Sequence, residues 1–531
     1  MADQAQNPVL SERRASTGRG SGLFTIQPIA AGSLVFKDER PLITMLDTAR
    51  LEHNCDWCLV GKGDECQSSS WRHAHKLLCP IYKQHYPKIL PNTVRGIIEI
   101  LLRRSAKLLP DDEWQDFRAL ESHANEFKSQ QERGEDGLTT WQAIELMSQA
   151  AMFYSGTKVP LPFVQEITLK NSSTSAYIVD PLLTTAEQEL TLHFHVSQAI
   201  TNSHTLTTPA FDPLGISLSL SSARLNHSCT PNACITFSKS TLSLRTLDHV
   251  PADTELTISY IDATLPTSLR QADLQSRYFF TCTCEACSAP PPPPSLQFPA
   301  EIIQEANQLL STAKTTPDHA QASELLTRAI NILDSVAPRR PPHVYPNPNI
   351  WHQMILTAIS SQEWDLALKY AFRVYHDIDP ALFPLQWHPV RVVHGWVMLR
   401  LMMQCSQSDV FDEAGGGFRA VEWQYVLGKL WHEVIEALPK SHGFDSTLAK
   451  QVAFFWPRKG DAASPLESDY GGKEKFRTFV EERWARLRKW LESTDRGEVE
   501  REIKELEEKR EKERERKREK GLEELTGTKK K

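Results

Sequence analysis

Cys282, Cys284 and Cys287 stand in C-x-C-x2-C spacing, one donor short of the four that a closed tetrahedral zinc site takes. About fifty residues earlier lies Arg224-Leu-Asn-His-Ser-Cys-Thr-Pro-Asn232, and its Cys229 is the obvious candidate for the missing donor. In that stretch Asn226 and His227 place polar side chains where the apolar run Leu214 to Leu225 should close, and Pro231-Asn232 signals a turn. A metal held by these four thiols would tie the later segment back onto the Asn-His turn and build a pocket there. A second set of donors comes earlier: Cys55 and Cys58, then Cys66, then His75 and Cys79. Five donors cannot fill two tetrahedral sites, although they can fill one. One remodelled zinc, two incomplete sites completed by water or outside ligands, and no metal at all are each compatible with the spacing. His73 could compete with His75.

Composition narrows the classes of function. The chain has 531 residues, 40% hydrophobic and 24% charged, which is the profile of a globular protein with room for several cores. No stretch approaches the ~20 unbroken apolar residues of a membrane span. The first residues, MADQAQNPVLSERRAS, lack the apolar core of a signal peptide. The expected location is therefore intracellular, in nucleus, cytoplasm or both. There the ten cysteines should be metal ligands or free thiols, and Cys234 and Cys405, outside the clusters, read as buried free thiols. The formal charge is −7, while residues 498–531 hold 13 Lys/Arg against 12 Asp/Glu, so the acidity lies in the body. An acidic body gives no case for direct nucleic-acid binding and favours basic substrates such as lysine-rich tails.

Several elements must position these residues. Gly18-Arg-Gly-Ser-Gly-Leu-Phe24 has alternating glycines, which let a backbone take positive φ or approach a ligand; alone it reads as a hairpin turn. Ser33-Leu-Val-Phe36 is strand-like. From about Thr93 to Ala151 apolar residues recur at helix spacing, including Leu120 to Phe127, where His123 reads as a helix-packing histidine. Residues 156–184 read as an irregular excursion before a helix running to Asn202-Ser-His204. Short strands follow at Ala233–Phe237, Leu242–Thr246 and Glu255–Ser259, then a helix over Thr264–Arg277. The proline run Pro290–Pro294 marks a boundary or stiff linker. Beyond it the pattern is helical, with Trp364 to Ala371 in a small/large rhythm. His388 and the tryptophans there read as packing. Phe476, Phe479, Val480, Trp484, Leu487 and Leu491 form the face of a last folded helix, followed by alternating charges.

Taken together, Asn226-His-Ser-Cys-x-Pro-Asn232, Glu255-Leu-Thr-Ile-Ser-Tyr-Ile-Asp262 and Tyr278-Phe-Phe-Thr-Cys-Thr-Cys-Glu-Ala-Cys287 resemble the SET and MYND domain family of protein-lysine methyltransferases. The blocks match in order and spacing over roughly residues 10 to 290. The resemblance implies an α+β protein: a split SET β-fold with an inserted MYND-like zinc finger and helical insert, a post-SET zinc site, and an all-α TPR-like C-terminal domain. The implied boundaries are the N-terminal SET part at 10–50, a degenerate finger at 51–82 and a helical insert at 93–200. The catalytic SET part would span 201–270 and the post-SET segment 271–289. A proline-rich linker at 290–297, the TPR-like domain at 298–492 and a charged tail, helical or disordered, at 493–531 complete the chain.

The same resemblance implies roles. S-adenosyl-L-methionine would be held by Gly18, Arg19, Gly20, Asn202, Asn226 and His227, with Phe280 stacking on its adenine. Tyr260 would orient the target amine and Tyr278 would line the lysine channel. Cys229, Cys282, Cys284 and Cys287 would close the structural zinc. Cys55, Cys58 and Cys66 match three ligands of the family finger's first zinc, with Lys62 near the place of the fourth, and His75 and Cys79 match two ligands of the second. The finger's middle is missing, and Trp71 to His75 is one residue longer than the family pattern. The implied function is methyl transfer to lysines of proteins, histone tails among them, with further partners on the helical domain. The rival reading is a catalytically inactive SET-fold adaptor that binds partners through that domain.

Overall fold

The computed structural model describes residues 10–15, 20–60, 64–134, 136–155, 185–291, 293, 297–336, 341–406, 420–455 and 473–492. The chain forms two compact units, one of Met1–Pro290 with Lys440–Leu448, the other of Pro291–Pro439 with Ala449–Lys531. Gly18, Arg19, Lys62, the excursion at 156–184 and the charged tail lie outside the described residues.

The first unit is built from short strands in small sheets. β1 (Leu10–Arg14) pairs antiparallel with β2 (Ser21–Thr25). β3 (Leu34–Asp38) pairs with β9 (Thr241–Thr246), which pairs in turn with β8 (Ala233–Ser238). β4 (Ile43–Leu46) and β5 (His204–Thr207) flank β6 (Pro213–Leu218). The smallest pair matters most: β7 (Asn226–His227) lies parallel to β10 (Thr257–Ile258). Strand segments thus come from both sides of a long helical insertion, and only long-range pairing assembles them.

That insertion contains helices Asn92–Ser105, Asp111–Ala119, Ala124–Ser129, Thr140–Ser155 and Thr185–Asn202. Their apolar faces bury Ile97, Ile98, Phe117, Ile144 and Val196 against Ile43 and Leu218 of the β4-β6-β5 sheet. Prolines set several helix starts: Pro91, Pro110 and Pro266 each stand immediately before a first helical residue. A proline there has a fixed φ and no N–H to leave unpaired.

Three expectations change. Leu120 to Phe127 is not one helix: Leu120 is extended, His123 takes a left-handed φ of 49°, and the helix begins at Ala124. His123 still packs, its ring 5.3 Å from that of Phe279. The helix expected from Thr264 begins at Thr267, because Pro266 disfavours helical backbone at the residue before it. Within the expected finger, helix Asp64–Ser70 continues through a π-type turn, Trp71–His75, into helix Lys76–His85. A π turn accommodates one additional residue within a helix, so the extra residue between Trp71 and His75 is absorbed there.

In the second unit, helices Ala300–Thr315, His319–Val336, Asn347–Ser360, Trp364–Arg373 and Pro389–Ser406 pack largely in succession, the first three burying Ala306, Leu326, Ala329 and Ile350 in one core. His388 stacks on Phe383 at 4.5 Å, in keeping with a packing role. Asp379, fully buried, accepts from His394 Nδ1 at 2.9 Å. Among the described residues no helix is long and apolar enough to cross a membrane.

Two predictions arise here. A Cβ on Gly215 would collide with the Met45 carbonyl across the β4–β6 ladder, so Gly215→Ala should cost about 1–3 kcal/mol, read as a lower urea midpoint. Burial pushes both His195 and His204 down to about 4 from an ordinary 6.5. The unfolded chain then binds more protons between those values, so stability should be complete above about pH 6.5 and fall as pH drops towards 4. Thermal melts across that range check the sign.

Candidate active site and metal centres

The site is organised by β7 and the residues on either side of it. Parallel pairing with β10 brings Asn226 opposite Thr257 and His227 opposite Ile258, which sets Tyr260 beside the histidine. The Tyr260 amide donates to His227 Nδ1 at 3.0 Å. With Nδ1 accepting, the ring proton must sit on Nε2, which lies 3.3 Å from Cys229 Sγ. The imidazole therefore donates to the sulfur. The Tyr260 hydroxyl donates to the Leu225 carbonyl, one residue before Asn226. Its ring lies 5.3 Å from that of His227 and 4.9 Å from that of Tyr278. Phe280 completes this wall, 5.9 Å from His227. Burial holds the Tyr278 phenol above its usual pKa, so it stays protonated at neutral pH.

Asn226 is held from the opposite side. Its Nδ2 donates to the Ser21 carbonyl at 3.1 Å and to Glu255 Oε1 at 2.7 Å, leaving Oδ1 as an acceptor. Gly22 leaves room for this arrangement: a Cβ there would displace the Glu255 carboxylate and come 2.8 Å from Asn226 Nδ2. Asn232 spans the same gap. Its amide donates to the Glu255 carbonyl at 2.8 Å and accepts from the Thr257 amide at 2.9 Å, standing in for ladder bonds between strands. Gly20 has a φ of 76° and open space around it. Asn202 ends its helix with Nδ2 on the Glu121 and Gln198 carbonyls, at 2.7 and 2.8 Å.

The sulfurs of Cys229, Cys282, Cys284 and Cys287 all lie within 4.8 Å of one another. The donor chemistry fits zinc: four thiols, none in a disulfide, three of them buried. Burial opposes ionisation of Cys284, yet the backbone amides of Cys287 and Cys229 aimed at its sulfur draw it down to about 6. Four thiolates around a divalent ion leave two net negative charges, and a buried cation offsets them. Arg270 directs one N–H at Cys287 Sγ at 3.6 Å and others at the carbonyls of Leu265 and Ala286. Gln271 clamps the cluster to its helix, accepting from the Cys282 amide at 2.9 Å and donating to its carbonyl at 2.7 Å.

In the finger region the sulfurs of Cys55, Cys58 and Cys66 also lie within 4.8 Å of one another. His75 and Cys79 are not part of that group. His75 Nδ1 instead faces Asp56 Oδ2 at 3.9 Å, and His73 Nε2 faces Glu99 Oε1 at 3.5 Å. Glu255 and Asn232, at the ends of motif blocks, and Arg270 and Gln271 carry the site's hydrogen bonding without a site role having been assigned to them from the sequence. The signal available for them was adjacency to the motif blocks.

Residues 20–261 match the SET domain family model, so this part of the chain is a SET domain, with helical content inserted in it and a helical C-terminal region after it. The N-lysine methyltransferase SMYD2-A of Xenopus laevis is 25% identical over 440 residues, covering 76% of this chain and 92% of that relative. The histone-lysine N-methyltransferase SMYD3 of Homo sapiens is 24% identical over 453 residues, covering 81% and 96%. The SET domain and MYND-type zinc finger protein 6 of Schizosaccharomyces pombe is 29% identical over 288 residues, covering half of each chain. Over most of its length the chain is thus similar to the SET and MYND domain lysine methyltransferases.

Replacing the Gln271 clamp by alanine leaves the Cys282 amide and carbonyl without partners inside a half-buried segment. Gln271→Ala should cost about 1–3 kcal/mol and speed zinc loss to a chelator, followed with a zinc-sensitive dye.

Proposed function

We propose that the protein transfers methyl groups from S-adenosyl-L-methionine to lysine side chains of proteins. The observation that carries this reading is the His227 imidazole, which connects the Cys229 thiol cluster to the Tyr260 backbone beside Asn226. The cofactor, when bound, supplies a methyl group activated by its sulfonium. The chain's own tasks are to position and to exclude water.

Residue by residue, the fit is as follows. Asn226 offers Oδ1, with its amide nitrogen already engaged by Ser21 and Glu255. Gly18, Arg19, Gly20 and Asn202 would hold the amino-acid end, and Phe280 would give an aromatic face for adenine. Tyr260 and Tyr278, rings 4.9 Å apart, would flank the lysine side chain. A lysine with a pKa near about 10.4 arrives charged at neutral pH. A wall of aromatic rings favours its neutral form by desolvation, and the Tyr260 hydroxyl fixes the amine's direction. Cys229, Cys282, Cys284 and Cys287 would hold a structural zinc that keeps Phe280 and His227 in place.

We further infer that basic protein segments, histone tails among them, are the substrates, in line with the acidic body. The inserted segment at 51–82 is read as a reduced MYND finger, and the C-terminal helices as a TPR-like surface for protein partners. The test is labelled methyl transfer to core histones and to a whole-cell lysate, wild type beside Tyr260→Phe. The variant should lose about a hundredfold or more of the rate while keeping its circular dichroism. Equal labelling by both proteins would contradict the assigned role.

A further inference from the structure

Arg95 is a buried charge without a counter-charge beside it. It belongs to helix Asn92–Ser105 and is 5% exposed, so its guanidinium has left bulk water. A guanidinium stays protonated in a protein, and burial works against that charged form. Two of its five N–H groups are engaged: Nε donates to the Leu90 carbonyl at 2.9 Å and Nη2 to the Leu46 carbonyl. Those bonds tie the helix to β4 and to the chain just before the helix, but carbonyls bring no negative charge. Among the described residues Arg95 has no carboxylate within ion-pair distance, and its other N–H groups have no partner.

Arg95 lines a cleft of about 820 Å³, a volume that suits a small organic molecule. Tyr82 lines it too, and its hydroxyl is likewise without a partner among the described residues. Burial raises the Tyr82 pKa well above its ordinary 10, so the phenol is a hydrogen-bond donor at neutral pH. The two groups are near enough to act on each other's ionisation. Met45, Leu78, Ile81 and Leu90 give the cleft apolar walls. Its other charges are committed or exposed. Glu99 Oε1 faces His73 Nε2 at 3.5 Å and Arg103 Nη1 at 3.7 Å, and Asp56 faces His75 at 3.9 Å. Arg40 lies over the Trp57 ring, 4.4 Å from its centroid, so that aromatic face is taken. Glu39 and Lys88 are exposed and opposite in sign. The unmet charge inside is the Arg95 cation.

We propose that this cleft binds a small amphipathic carboxylic acid, its carboxylate on Arg95 and Tyr82 and its apolar body along Met45, Leu78, Ile81 and Leu90. A carboxylate matches the donors on offer, one oxygen for the free guanidinium N–H groups and one for the phenol. A phosphate dianion would bring charge and acceptors beyond what one guanidinium and one phenol supply. The ligand's charge replaces the solvation that Arg95 lost on burial. None of these residues is among those assigned to methyl transfer, so the site is separate from that reaction.

The test is calorimetric titration of the full-length chain with octanoate, 4-phenylbutyrate and 1-naphthaleneacetate, each beside its primary amide, and with inorganic phosphate. At least one acid should bind about tenfold or more tightly than its amide, because only the acid supplies the counter-charge. It should also bind more tightly than phosphate, and equally well with S-adenosyl-L-methionine at saturation. Arg95→Gln should abolish the preference for acid over amide. Tyr82→Phe removes a single hydroxyl and decides the matter if Arg95→Gln does not fold. It should weaken the acid about fivefold or more while its circular dichroism matches wild type. Acids that bind no better than their amides would overturn the proposal, as would wild-type affinity in Tyr82→Phe. Phosphate binding as tightly as the acid, or displacement of the acid by the cofactor, would overturn it as well.

Discussion

Both ring nitrogens of His227 are committed, and the candidate site depends on that. Nδ1 accepts from the backbone of Tyr260 and Nε2 donates to Cys229 Sγ. The imidazole is buried, so each bond lost would leave a polar atom without water to replace it. Because one bond goes to the strand carrying Tyr260 and the other to the thiol cluster, the histidine keeps three chain segments in register: β7, the residues after β10, and Cys282 to Cys287. The two-residue ladder between β7 and β10 is too short to do this alone, and Asn232 and Glu255 supply the cross-links that a longer sheet would have provided.

The thiol cluster sets the other boundary of the site. Among the described residues Leu274 is the sole fully buried aliphatic side chain packed with the sulfurs, so this corner has little apolar surface to hold it. Thiols, the Gln271 clamp and the Arg270 guanidinium take over that function. Metal coordination can contribute more than such a small core could. It is an economical way to fix aromatic residues such as Phe280, which belong to a segment with no strand partner. In the finger region, by contrast, three thiols rather than four converge among the described residues.

Much of this was legible because it was written in spacing. C-x-C-x2-C with a distant Cys229, the alternation in Ala233–Phe237 and Leu242–Thr246, and the helix periodicity of Val94 to Leu102 each have a physical period that a sequence displays. What stayed hidden were single polar residues whose partners are remote in sequence. Gln271 looks like any helical glutamine until Cys282 is folded back upon it, and Glu255 looks like a strand-edge acid until Gly22 and Asn226 arrive. His123 misled because an L-x-x-H pattern carries no mark of a left-handed residue. In the finger region the spacing of five donors left one shared ion, two incomplete sites and no metal all open; the fold brings Cys55, Cys58 and Cys66 together and sets His75 against Asp56.

The central claim is that the Cys229 cluster holds His227 and Phe280 in the geometry that binds cofactor. Calorimetric titration of S-adenosyl-L-methionine into wild type and Cys284→Ser, each checked for helical content by circular dichroism, tests it most directly. The account predicts that the variant keeps its helices, loses one zinc and binds the cofactor at least about tenfold more weakly, a loss of about 1.4 kcal/mol. Unchanged affinity in a variant shown to have lost that zinc would contradict it.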